Sequence, residues 1–200
     1  MSILQNASQG VLEFIGQNLW GFKPNLMKDI VEQNGGPSSV LWFARNMPTY
    51  ERILKVWGPI RTHLLASEIS VLNGCPYCTF GHIYAAQLHF LEITGSVMSV
   101  DEDEVVSWHK LDEATKIANF RKLILENELD AEMALFDRML ELRAGNGSDG
   151  SKRDRNIEHL LQMFAYLNAC GIKGNTANDQ SHDPINLDSA LKEKYARIRA

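Results

Sequence analysis

Apolar residues recur along the chain three and four positions apart and almost nowhere in strict alternation, so the pattern predicts helices throughout and no paired strands. Punctuation divides the pattern. Residues 8–18 and 25–33 read as short helices separated by the Gly21–Pro24 stretch. Gly35-Gly36-Pro37 is a stop, with Ser38 or Ser39 placed to cap a helix over 40–46, and Pro48 opens another that runs to about Trp57. Gly58-Pro59 breaks the chain before a helix over 60–72, and Asn73-Gly74 is a helix-end signal before one over 75–93. Ser99 and Glu102 have capping-box spacing ahead of a helix rich in early acids, and Asp112 caps another that runs to about Glu126. Leu129, Met133, Phe136 and Leu140 mark a helix over 129–143; Ile157, Leu160, Leu161 and Phe164 mark one over 154–170. The stretch 144–151, with three glycines, is the most loop-like and offers a hinge; 173–187 reads as irregular and 188–199 as a polar helix. The expected fold class is all-α, a single compact helical domain.

Composition narrows the function. Of the 200 residues, 44% are hydrophobic and 22% charged, the proportions of a folded globular chain. The formal net charge of −5 argues against nucleic acid as a partner, because phosphate binding needs clustered Lys and Arg. No run approaches the about 18 apolar residues of a membrane span, and the first ten residues lack a basic region followed by an apolar run. No membrane partner and a cytoplasmic location are therefore expected. Three cysteines do not suit a disulfide framework, but two of them form a C-x-x-C pair, which in a reducing compartment points to redox chemistry or metal binding.

That pair is followed by a histidine. On a helix Cys75, Cys78 and His82 lie at i, i+3 and i+7, within a narrow sector of one face. Only a thiolate is a nucleophile, and a free cysteine has a pKa of about 8.5. An imidazole one turn away can take the proton, and a helix N-terminus just after Asn73-Gly74 adds partial positive charge. A second thiol can then attack the oxidised first one and close a disulfide. The same three residues can instead supply zinc ligands, with His63, Glu68 or a distant residue as the fourth, or they can be inert core residues.

The segment Ile69-Ser70-Val71-Leu72-Asn73-Gly74-Cys75-Pro76-Tyr77-Cys78, with His82 four residues on, resembles the signature of the alkyl hydroperoxidase D (AhpD)-like, or carboxymuconolactone decarboxylase, family. Met47-Pro48, Trp57-Gly58 and Arg61 upstream, and Phe164 to Asn168 downstream, are similar to it as well, so the resemblance spans about 35–175. It implies an AhpD-like helical bundle that assembles into homo-oligomers and acts as a thiol peroxidase or disulfide reductase. Cys78 would attack a hydroperoxide, His82 would assist its deprotonation, and Cys75 would resolve the sulfenate and exchange with a lipoyl or thioredoxin-like dithiol. Members that decarboxylate a lactone lack the dithiol. One position departs from the pattern: the family's relay glutamate, twelve residues before the first cysteine, is His63 here. Either His63 carries the proton or Glu68 takes over. They stand about 140° apart on a helix and cannot both face the dithiol; the alignment of Ser70 with the family serine favours His63. The altered relay also leaves room for a redox-sensing protein of the same fold without catalytic turnover.

The remaining candidates read more blandly. Cys170 is expected to be a buried structural cysteine, His89 a core or interface histidine ahead of a donor behind the site, Tyr77 a packing residue that could also hydrogen-bond to the site, and His109 and His159 exposed. His182-Asp183-Pro184 looks like a turn, and Trp20, Trp42, Trp57 and Trp108 like core or interface anchors. Asp101 to Glu104 read as an acidic first helical turn. No phosphate loop, Ser-His-Asp order or dinucleotide fingerprint is present, so no cofactor is expected.

Overall fold

A computed structural model describes residues 2–200, and those residues form ten α-helices with no strand among them. The helices are α1 (Ile3–Trp20), α2 (Leu26–Asn34), α3 (Gly36–Trp57), α4 (Pro59–Asn73), α5 (Pro76–Thr94), α6 (Glu102–Ser107), α7 (Glu113–Glu126), α8 (Met133–Arg143), α9 (Lys152–Gly174) and α10 (Ser189–Arg199). Short 3-10 turns follow α6, precede α8 and precede α10. The expected all-α class is what the structure has.

The α4–α5 hairpin is the centre. Every residue of α4 from Thr62 to Leu72 is buried, which explains why it carries apolar and small residues on all sides rather than a stripe. One apolar cluster packs α1, α2, α3 and α9 against its first face, with Leu12, Ile30, Ile53, Ile69, Ile157 and Phe164 among its members. A second packs α6, α7 and α8 against the opposite face, around Val71, Ile83, Trp108, Phe120 and Phe136. Each such side chain contributes about 1.5–3 kcal/mol when buried, so α4 and α5 are fixed from both sides.

Several boundaries differ from the sequence expectations. The two helices expected around Pro48 are one, because Pro48 lies inside the 22-residue α3. An internal proline costs about 3 kcal/mol, but Phe43, Tyr50 and Ile53 on either side of it are anchored in the first cluster, and their burial holds the axis together. α1 begins five residues early: Ser2 accepts from Gln5 N while Gln5 reaches back to Ser2 N, a reciprocal cap. The cap of α6 is Asp101, which accepts from Glu104 N at 2.7 Å, rather than Ser99. α9 begins at Lys152, capped by Ser151, and extends to Gly174. The loop expected to be a hinge is tied down: Asp154 accepts from Arg138 at 2.6 Å and from Asp149 N at 3.0 Å, and Arg138 also binds Gly147 O.

The stretch read as irregular, 173–187, loses its first two residues to α9 and ends in a 3-10 turn over Pro184–Leu187; the rest is irregular but not peripheral. Ser181, His182 and Asp183 are buried, and the segment straps across α5, with His182 N bound to Gly81 O at 3.1 Å.

Candidate functional site

The site starts at the junction of α4 and α5. Gly74 ends α4 in the left-handed region (φ +82°), which a side chain would disfavour, and Cys75 N returns to Ser70 O at 2.9 Å. This turn delivers Cys75 to the N-cap of α5, where its Sγ accepts from Cys78 N at 3.5 Å. Pro76 follows in the first turn, where its missing N–H costs nothing. Behind the sulfurs is a polar brace: Asn168 donates to Ser70 Oγ at 3.1 Å and accepts from Asn73 at 2.9 Å.

Both thiols are free and buried, and they are not equivalent. A hydrogen bond from Cys78, with further bonds from backbone N–H groups and Asn168, holds Cys75 below the usual thiol value. Donating that bond, together with burial, pushes Cys78 well up. The first charge on the pair thus rests on Cys75. Access is the reverse: Cys78, not Cys75, lines an apolar cavity of about 40 Å³ together with His82, Tyr50, Tyr77, Phe164 and His182.

His82 is the inner end of a hydrogen-bonded chain. Its Nδ1 stands 3.0 Å from Nδ1 of His63, and Nε2 of His63 stands 2.9 Å from Oδ2 of Asp183. A carboxylate can only accept, so His63 donates from Nε2 and keeps a lone pair at Nδ1. His82 therefore donates from Nδ1, which leaves its Nε2 as a lone pair with no hydrogen-bond partner among the described residues. Burial, reinforced by the nearby imidazoles of His63 and His182, holds His82 well below the usual histidine value, so it is a neutral base at physiological pH. His63 is also lowered by burial, with Asp183 acting against the shift. No hydrogen bond joins His82 to either sulfur; His82 and Cys78 meet only across the cavity they share.

Asp183 anchors the chain. Burial alone would raise its pKa, but bonds from His63, from His89 Nε2 at 3.0 Å and from Ile185 N at 2.8 Å hold it well below the carboxylate range. A second set of contacts locks the strap. His182 bonds Asp179 at 3.2 Å, Asp179 accepts from Tyr77 OH at 2.8 Å and from Asn25 N at 2.9 Å, and the His182 ring packs on Tyr77. It lies so close to α5 that a Cβ at Gly81 would come within 2.2 Å of it.

Of the five residues singled out by sequence, Cys75, Cys78, His82 and His63 converge here and Glu68 does not. Glu68 lies on the other face of α4, buried, in a separate cavity of about 20 Å³ with Leu64, Phe120 and Phe136. Both of its oxygens are without a partner, and burial pushes its pKa well up. The sequence reading missed three residues, His182, Asp183 and Tyr50. His182-Asp183-Pro184, read as a turn, supplies the carboxylate and part of the cavity wall. His89, weighed as a donor behind the site but read as a core or interface histidine, bonds Asp183. Tyr50 lines the cavity with a buried hydroxyl that has no partner among the described residues. A polar residue pair next to a proline in an otherwise featureless segment was the only signal for Asp183. His109 and His159, expected to be exposed, are half-buried. Cys170 is buried, with Asn34 donating to its sulfur at 3.3 Å, as a structural cysteine would be.

No family model, curated protein or solved structure matches the chain.

Proposed function

We propose that this protein is an AhpD-like, thiol-dependent peroxidase, an enzyme that reduces a hydroperoxide through the Cys75–Cys78 dithiol and is recharged by a cellular dithiol of lipoyl or thioredoxin-like chemistry. The observation that carries the reading is the shared cavity. Cys78, His82 and Tyr50 all line the same small apolar space, which brings a thiol, a neutral imidazole and a phenol ring to one place.

The chemistry follows from those groups. His82 Nε2 takes a proton from the dithiol, and the His63–Asp183 chain stabilises the imidazolium that forms. The remaining proton shifts from Cys78 to Cys75 along their hydrogen bond, which places the thiolate in the cavity. Cys78 attacks the outer peroxide oxygen; the O–O bond breaks, Cys78 becomes a sulfenic acid, and the alkoxide leaves with the proton from His82. Cys75 then attacks the Cys78 sulfur, the S–O bond breaks, water leaves with the Cys75 proton, and a disulfide closes. The external dithiol reduces it and is itself oxidised to a disulfide. Apolar positions exposed on α1, Val11, Phe14 and Leu19 among them, suit assembly into homo-oligomers.

The test is peroxide consumption by reduced, purified protein. Cys78→Ser abolishes it, whereas Cys170→Ser leaves it intact; consumption that survives Cys78→Ser contradicts the reading. The burial of both sulfurs beneath the strap favours one rival, a redox switch without turnover. Oxidation that changes oligomer size, with no consumption beyond one equivalent of peroxide, would select the switch.

A further inference from the structure

The outer end of the histidine chain is built differently from the inner end. His63, His89 and Asp183 offer one ligand atom each, all within 4.8 Å of one another. We infer that these three residues form a binding site for a divalent transition-metal ion with an N2O ligand set. The inference does not depend on the peroxidase reading, since no cysteine takes part.

Three observations carry it. The first is spacing. Nitrogen and oxygen ligands at about 2.1 Å from a metal, set at right angles, stand about 3.0 Å apart. His63 Nε2 lies 2.9 Å from Asp183 Oδ2, and His89 Nε2 lies 3.0 Å from Asp183 Oδ1. The two imidazoles are nearly parallel, 14° apart, and hold their Nε2 atoms on the same carboxylate. Two histidines and one carboxylate are a ligand set that leaves coordination positions open to water or substrate.

The second is the far nitrogen of each ring. Coordination needs the lone pair at Nε2, so each ring must carry its proton at Nδ1, and a metal-bound histidine characteristically gives that proton to an acceptor. One acceptor is within hydrogen-bond distance and the other is a nearby carboxylate. His82 Nδ1 stands 3.0 Å from His63 Nδ1, and Glu92 Oε2 stands 3.6 Å from His89 Nδ1. Moving each proton from Nε2 to Nδ1 frees both lone pairs with no proton lost, because His82 can shift its own to Nε2.

The third is access. His89 and Asp183 line an open cleft of about 500 Å³ with Glu51, Arg52, Lys55 and Pro59. It lies on the side of the chain away from the dithiol cavity, whose lining includes none of His63, His89 and Asp183. An ion can enter from this side, and Glu51 gives the cleft a further carboxylate.

The experiment uses Co2+ as the probe and the full chain carrying Cys75→Ser and Cys78→Ser, with iodoacetamide-blocked wild-type protein as a second preparation. Titration followed by visible absorption is expected to show one equivalent of Co2+ bound with nitrogen and oxygen ligation and no thiolate charge-transfer band. Adding His89→Ala or His89→Gln is expected to weaken binding by more than about tenfold, with thermal melting confirming that the variant is folded; His89→Gln retains a polar donor and guards against collapse. Failure of both thiol-free preparations to take up Co2+, or uptake that survives both His89 variants, overturns the inference.

Discussion

Asp183 and Glu68 are carboxyl groups sealed from water to almost the same degree, 4% and 1% exposed; Glu68 belongs to α4 and Asp183 packs against it through His63. They face opposite ways and end in opposite states. Asp183 receives hydrogen bonds from two imidazoles and a backbone N–H and is held as the anion. Glu68 receives none and is pushed towards the neutral acid. Burial is common to both, so donors decide the charge. The difference also separates the two sites. The anion terminates a hydrogen-bonded chain through His63 to His82, which lines the cavity with Cys78, while the neutral acid sits in a separate cavity with Phe120 and Phe136 and has no hydrogen-bond partner among the described residues.

The linkage to stability has opposite signs. Asp183 is depressed from its ordinary 3.8, so it contributes stability that is fully present above that pH and is lost as acid protonates the folded state. Glu68 is raised above its ordinary 4.5, so the folded state holds a proton that the unfolded chain releases, and stability falls as pH rises above 4.5.

Removing the favourable carboxylate has the largest expected effect. Asp183→Ala strands two buried imidazole donors and one backbone N–H, and should cost about 3 kcal/mol, on the basis that each hydrogen bond to a charged group is worth about 1.5–3 kcal/mol; urea unfolding at neutral pH measures it. Next is Gly81→Ala, which drives a methyl group into the His182 ring and should cost about 1–3 kcal/mol while lifting the strap. Faster labelling of Cys78 by a thiol reagent in the folded protein is the specific readout. The smallest effect has the opposite sign. Glu68→Gln should stabilise the protein at pH 7 by about 1–2 kcal/mol, and the gain should vanish below pH 4.5, where the wild-type carboxyl is protonated in both states. Melting temperatures of the pair across that range test it, and a gain independent of pH would show that Glu68 is ionised in the folded protein.

What could be read from the chain follows from how local each signal is. The dithiol, its helix start and His82 lie within eight residues, and His63 shares a helical register with Ser70, so all four were legible. Glu68 was separable from His63 by helix geometry alone, and the structure puts the two on different faces. Asp183 was not legible, because its partner His63 is 120 residues away and only tertiary packing brings them together. Tyr50 fell inside the helix expected from Pro48 to about Trp57, but nothing local marked it, because only tertiary packing brings it to His82 and Cys78; core burial of Phe43, Tyr50 and Ile53 carries α3 through the proline. The tie between Arg138 and Asp154 likewise turned an expected hinge into an anchored loop.

The most direct measurement is the stopped-flow rate at which a hydroperoxide oxidises the reduced, EDTA-treated protein, compared among wild type, His63→Gln and Glu68→Gln. A proton route through His63 requires His63→Gln to be slower by about 10²-fold while Glu68→Gln stays within about twofold of wild type, the scale set by losing one positioned acid–base group. Equal rates for all three, or a loss confined to Glu68→Gln, would contradict it.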